Sequence, residues 1–231
     1  MSPAAAPARR PRLAPAQRTG VREASAQATR EAILRAAIAE FAKNGYAGGR
    51  VEQISKTANS HDRMIYYYFG NKEGLFAAVL GEIYRRFNVA EAELEIDLER
   101  PVESLRAVVS FMWNYYRRHP EFITLLNSEN LHRGKHIGKL MGAREYSSPA
   151  VDVIARVLAS GAARGLFRSD VTARDIYLLV AAMGYFYCSN RYTLSAFLGE
   201  KLATPPAHAH WEAFMADTVL RTVAATPPAV L

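Results

Sequence analysis

Apolar positions recur along most of this chain at the period of a helix face. Ile33, Leu34, Ala37, Ile38, Phe41 and Ala42 form the first stripe, which Asn44-Gly45 ends, glycine being free to take the left-handed cap conformation. Gly48-Gly49 marks a second break, and Val51, Ile54 and Ser55 mark the inward side of a short helix over about 51–58. Asn59-Ser60 has turn and N-cap chemistry, so a third helix is expected from His61. Asn71 caps a fourth, whose stripe Leu75, Phe76, Val79, Leu80, Ile83 and Phe87 predicts a helix reaching about Leu98. Pro101 suits the first position of a fifth, which stops at Pro120. Further helical patterns cover about 121–133, 148–164, 172–189 and 208–224, with Asp170 and Thr172 as caps for the third of these. No strand-type alternation of Val, Ile and Thr stands out, and no internal repeat. The pattern predicts an all-α chain, with a small N-terminal domain whose fourth helix leads into a larger one.

Length and composition narrow this picture. The chain has 231 residues, half of them apolar, and its longest greasy run, Ile176 to Cys188, contains Gly184 and three tyrosines. That run is far short of the roughly 18–20 residues a membrane helix needs, and residues 1–30 lack the apolar centre of a secretory signal. One cysteine, Cys188, excludes an intramolecular disulfide framework and any cysteine-based zinc cluster, and fits a reducing cytoplasm. The net charge of +7 sits mostly at the start: residues 1–30 carry Arg9, Arg10, Arg12, Arg18, Arg22 and Arg30 against Glu23 alone. Residues 1–27 therefore read as a disordered basic arm, which either touches a polyanion or is a solvated tail. Its prolines, Pro3, Pro7, Pro11 and Pro15, argue against the amphipathic helix of an organellar transit peptide.

The informative stretch runs from Val51 to Leu75. It reads as helix, tight turn, helix and capped helix, which is the sequence form of a helix-turn-helix whose second helix enters a DNA major groove. Polar side chains cluster at the start of that helix (His61, Asp62, Arg63), and tyrosines able to donate to phosphate follow. Tyr66, Tyr67 and Tyr68 cannot all face DNA, because successive helical residues lie about 100° apart. Tyr66 and Tyr67 are assigned to the DNA side, with inward packing beside Phe69. Lys72 stands at a helix N-terminus, where an anion is already favoured.

Three elements carry a family resemblance: Phe41-Ala42-Lys43-Asn44-Gly45-Tyr46, the Val51…Ile54…Ala58 helix, and Ile65-Tyr66-Tyr67-Tyr68-Phe69-Gly70-Asn71-Lys72-Glu73-Gly74-Leu75. Together they resemble the N-terminal domain of TetR/AcrR-family transcriptional regulators over residues 28–80. The resemblance implies a three-helix DNA-binding domain over 28–75, joined by the long fourth helix to an all-α ligand-binding and dimerisation domain over 76–231. It implies a recognition helix at about His61–Phe69, with Tyr66, Lys72 and Arg50 at positions that commonly hold the DNA backbone. His61, Asp62, Arg63 and Met64 match positions that commonly face bases, and Gln53 and Tyr67 complete the expected DNA-contacting set. The sequence departs from the family pattern at Gly49, where threonine is common, and in the turn, which reads Asn59-Ser60-His61. Ser60 replaces a small core hydrophobe, and Asp62 places a negative charge where many relatives have none. The resemblance further implies a homodimer built by the last two long helices, with Tyr177, Leu178, Ala181, Ala182 and Tyr185 on one and Trp211, Phe214, Met215, Val219 and Leu220 on the other. The alternative is that these residues close the subunit core. A small-molecule effector bound in the larger domain would swing the fourth helix and release a palindromic double-stranded operator.

Several side chains admit two readings. Arg63 can bond a guanine edge, hold a phosphate or pair with Asp62. Glu129, His132 and His136 share one helical face near Asn127, and could form the polar end of an effector pocket, hold a metal or simply hydrogen-bond. Gly134 interrupts the helix before His136, so no metal is assigned. Trp113, Tyr116, Met183 and Tyr187 could line the same pocket or be plain core. The expected effector set is thus Trp113, Tyr116, Asn127, Glu129, His132, Met183 and Tyr187, and Cys188 reads as a small buried hydrophobe. No dinucleotide, phosphate-loop, zinc-protease or nucleophile-elbow motif is present, so neither an enzyme nor a cofactor is expected. The rival reading is a low-specificity architectural DNA binder driven by the basic arm.

Overall fold

The computed structural model describes residues 15–140 and 149–225. Ten helices follow in order among them: α1 Pro15–Gly48, α2 Val51–Thr57, α3 Asp62–Phe69, α4 Lys72–Ala92, α5 Pro101–Arg118, α6 Pro120–Leu131, α7 Ile137–Leu140, α8 Pro149–Ala163, α9 Ala173–Leu198 and α10 Pro205–Val223. The only strand-like pairing among the described residues is a single antiparallel bridge between Phe167 and Ala224.

Three boundaries differ from the apolar pattern. Helix α1 starts at Pro15, so residues 15–27, expected as disordered arm, are helical here. Proline is tolerated in the first turn, and no further proline interrupts the Ala- and Arg-rich run that follows; residues 1–14 of the arm lie outside the described residues. Gly45, with φ 67° and a non-helical ψ of 177°, ends the long run of α1 where the sequence expects a stop, and residues 46–48 follow beyond this kink as a short last turn. Helix α4 stops at Ala92, not Leu98, because Leu94 and Ile96 are half-buried between exposed neighbours, an extended alternation that a helix cannot satisfy. Ser104 locks that turn: its hydroxyl accepts from Asp97 N–H (3.1 Å) and donates to Asp97 O (2.7 Å). Helix α9 runs nine residues past Ser189, to Gly199 in the left-handed cap conformation (φ 69°). Its last two turns carry Tyr192, Leu194, Phe197 and Leu198 but are largely exposed, so these residues mark no buried stripe.

Two clusters of buried side chains merge into one core. Ile33, Ala37 and Phe41 of α1, Ile54 of α2, Ile65 of α3 and Leu75, Phe76 and Val79 of α4 are completely buried in the N-terminal part. Phe41 meets Phe76 edge-on at 5.1 Å. The larger part is built around α5, with Leu105, Val108, Val109, Met112 and Trp113 all inaccessible, against Ile154 and Val157 of α8, Val180 of α9 and Met215 and Val219 of α10. Met215 and Val219, expected at a dimer surface, therefore belong to the subunit core. Cys188 is buried, and burial pushes its thiol up to about 11. No helix among the described residues is long and apolar enough to cross a membrane.

Candidate nucleic-acid interface

Helices α2 and α3 are joined by Ala58-Asn59-Ser60-His61. Asn59 takes a left-handed φ of 49°, and Ser60 N–H donates to Ser55 O (2.9 Å), folding the turn back on α2. His61, not Ser60, is the N-cap of α3, and its side chain makes no capping bond. The cap role expected of Ser60 is lost because the hydrogen bond to Ser55 places it one residue too early. The Ser55 hydroxyl instead reaches across to the Asp62 carboxylate, bracing α2 against the first turn of α3. Asp62 is exposed, but one of its oxygens serves this brace rather than a base edge. Met64, also expected to face bases, is half-buried and packs against the core.

The other side chains of α3 divide into exposed and half-buried positions. His61 and Arg63 are exposed, and among the described residues no ion pair joins Arg63 to Asp62. Tyr66 is 52% and Tyr67 77% exposed, whereas Tyr68 and Phe69 are half-buried. Tyr67 lies edge-on to Tyr68 at 5.0 Å, which holds its ring outward. Arg50 and Gln53 are exposed on α2. Arg50, the N-cap of α2, makes no side-chain capping bond, but its N–H donates to Glu40 Oε1 (3.1 Å), which also accepts from Asn44 Nδ2 (2.9 Å), tying the start of α2 to α1. Gly49 is required here: a Cβ would stand 2.4 Å from the Phe41 ring. Lys72 is half-buried, with Nζ donating to Ala47 O (3.1 Å) and lying 5.1 Å from the centroid of the Tyr46 ring.

The junction between α3 and α4 is equally tight. Asn71 Oδ1 caps α4 by accepting from Gly74 N–H (2.7 Å), and a Cβ on Gly74 would stand 2.1 Å from the Phe69 carbonyl oxygen. In an open helix Gly→Ala stabilises by roughly 1 kcal/mol. Here the obstacle is backbone, so Gly74→Ala is expected to destabilise by about 1–3 kcal/mol. A thermal melt checks the sign, and a raised midpoint would show that the α3–α4 turn yields easily.

The residues expected to share an effector pocket are distributed over separate places. Trp113 meets Tyr187 edge-on at 5.3 Å, beside His208 and Trp211. Tyr116 stacks on Phe87 and Phe122, and Gly184 admits it closely, a Cβ there standing 3.0 Å from the ring. Met183 is half-buried on α9. Asn127 Oδ1 accepts from the Tyr185 hydroxyl and from Ser189 Oγ (3.0 Å), tying α6 to α9. Glu129 and His132 lie at the junction with the N-terminal part: Glu129 accepts from His136, and His132 Nδ1 is 2.7 Å from Ser128 O. Sequence reasoning missed Tyr84 and assigned Tyr177 and Tyr185 to the dimer face. Burial pushes Tyr84 up to about 12, with Tyr177, Tyr185 and Glu129 adding to it. Burial also holds Tyr116 well above the usual phenol value, with Tyr177, Glu91 and Tyr84 adding. Tyr84 and Tyr116 both pack on Phe122 (5.7 and 6.0 Å) and Tyr185 reaches Asn127, so phenols of α4, α5 and α9 gather along α6, a meeting between helices distant in sequence. No cluster of three or more metal-ligating side chains occurs among the described residues.

A recognition helix braced by a second helix, presented by a helical body, defines a helix-turn-helix DNA-binding regulator. Residues 33–79 match the family described as bacterial regulatory proteins, tetR family, and residues 101–219 match the tetracyclin repressor-like C-terminal domain. The chain is 52% identical over 189 residues to the HTH-type transcriptional repressor NicS of Pseudomonas putida, covering 82% of this chain and 89% of that one. It is 31% identical to the HTH-type transcriptional repressor SCO4008 of Streptomyces coelicolor, over 65% of this chain and 73% of that one. In fold it resembles the fatty acid degradation regulator FadR from Bacillus halodurans, with a TM-score of 0.61 at 18% identity, covering 82% of this chain and 93% of that one. The chain belongs to the TetR family of transcriptional regulators, a non-enzymatic class of DNA-binding proteins.

Proposed function

We propose that this chain is a cytoplasmic, homodimeric repressor that places α3 of each subunit in adjacent major grooves of a palindromic operator. The observation that carries this reading is the single outward face of α3. His61, Arg63, Tyr66 and Tyr67 are exposed together there, with Arg50, Gln53 and Lys72 at its margins. Arg63 and His61 sit at the end of α3 that meets base edges, and the tyrosines and Lys72 are placed to hold phosphates. The repressor names of the 52% and 31% identical relatives support the same output.

The effector would act where Tyr84, Tyr116, Tyr177 and Tyr185 converge with Asn127 between α4, α5, α6 and α9. A ligand there would bias α4 and α6, the two helices that connect to the DNA-binding part, through its unequal affinity for two arrangements.

Selection from random duplex DNA tests the DNA reading. The expected result is a palindromic consensus with half-sites about one helical turn apart. Arg63→Ala should relax one position per half-site and weaken it by about 1–3 kcal/mol. Salt-sensitive binding with no consensus, lost on deleting residues 1–27, would instead establish an architectural binder.

A further inference from the structure

Tyr46 stands where the two parts of the chain meet. Its backbone N–H donates to Ser128 Oγ of α6 (3.1 Å). Its ring meets His132 edge-on at 5.1 Å, His136 at 4.5 Å and Phe76 at 5.0 Å. The Lys72 ammonium lies 5.1 Å from the ring centroid and donates to Ala47 O (3.1 Å), one residue beyond Tyr46.

We infer that Tyr46 is a positioning residue for operator binding: its ring and the adjacent Ala47 carbonyl hold the Lys72 ammonium where a phosphate meets it. This rests on Lys72 being a phosphate ligand, as proposed above. A lysine on a free four-carbon stem loses rotamer freedom when it grips an anion. One anchored beforehand has lost that freedom already. An ammonium has three donors, so the bond to Ala47 O leaves two for DNA. The negative face of an aromatic ring attracts the cation without using any of them. Glu73, next to Lys72, is meanwhile paired with Lys135 (3.0 Å), so its carboxylate is engaged by a different cation. The ring is held by His132 and His136 and the Tyr46 backbone by Ser128, so a movement of α6 relative to α1 carries the Lys72 ammonium with it.

The test is operator affinity as a function of salt, measured on the full-length dimer with the selected operator. Removing one lysine–phosphate pair lowers the slope of log K against log salt by about 0.9, hence about 1.8 for two half-sites. Lys72→Met sets the reference. Tyr46→Leu should reproduce its slope change and weaken binding about tenfold, Tyr46→Phe should restore both, and Tyr46→Leu in the Lys72→Met background should lower the slope no further. An unchanged slope in Tyr46→Leu, or slope decreases that add in the double variant, would reduce Tyr46 to packing and overturn the inference. A flat response to Lys72→Met would overturn the phosphate reading itself, and the inference with it. Should Tyr46→Leu fail to fold, 3,5-difluorophenylalanine at position 46 keeps the ring's shape while weakening its negative face. Compared with Tyr46→Phe, it should bind roughly two- to fourfold more weakly at an unchanged melting temperature, and equal affinity would be overturning.

Discussion

Glu129→Leu is expected to lower the melting temperature by roughly 6–20 °C, the largest effect of any single substitution in the connection between the two parts of the chain. Glu129 is buried in the last turn of α6, and both of its oxygens are used. Oε1 accepts from His136 N–H (2.7 Å) and Ile137 N–H (2.9 Å), and Oε2 meets His136 Nδ1 (2.7 Å). The carboxylate thus gathers the start of α7 back onto α6, across a reversal made by Arg133 and Gly134, both at positive φ. Leucine fills a similar volume but leaves these polar groups buried without an acceptor. Removing one partner of such a pair costs about 3–5 kcal/mol, and about 2–4 °C per kcal/mol applies to a chain of this size. Glu129→Gln keeps one acceptor oxygen and should fall between. Because His136 packs on Tyr46 and Phe76, both variants should also weaken operator binding. A change in melting temperature under about 2 °C would show that the turn is held by packing alone.

That reversal also shows where sequence reading succeeds and where it stops. The three helices of the DNA-binding part are legible because Ile33, Phe41, Ile54, Ile65 and Leu75 repeat with helical spacing around breaks at Gly48-Gly49 and Asn59-Ser60, and all five are fully buried. The outward tyrosines follow from the angle between successive helical residues. Asp62 and Met64 depart from expectation because both sit on α3 near its edges, where a neighbour decides: the Ser55 hydroxyl for one, the core for the other. The α1 start at Pro15 escapes detection because residues 15–27 are mostly alanine, polar and charged, with Val21 as the one larger aliphatic, too little for a periodic apolar stripe. In the larger part, helix existence is legible but its chemistry is not. Glu129 and His136 read as one face of a continuing helix, whereas the structure joins them through a turn. The meeting of Tyr84, Tyr116, Tyr177 and Tyr185 depends on packing between helices distant in sequence, which no local spacing encodes.

The proposed dimer surface rests on the same distinction between core and exposed positions. Leu178 and Phe186 are each 56% exposed on α9, with exposed Ala182 between them, one residue every fourth position along a single face. On α10, Phe214 is 49% exposed, while Met215 and Val219 point inward. Tyr185, expected on the dimer face, is instead turned toward Asn127 of α6. An apolar stripe on two neighbouring helices, with alanine allowing close approach, is what a two-fold helical interface requires, and symmetry doubles each change made to it. Leu178→Asp combined with Phe186→Asp places four carboxylates in such an interface. The expected result is a folded monomer by sedimentation, with operator affinity reduced at least about a hundredfold, since engagement of the second half-site is no longer intramolecular. Met215→Asp, by contrast, should unfold the subunit before it separates the dimer, because it places a charge among Gly184, Val219 and the α5 core. If the double variant remained dimeric, the α9 stripe would not be the interface. If it became monomeric but kept full affinity, each subunit would bind its half-site independently, and the proposed release by altered spacing of two recognition helices would have no lever to act on.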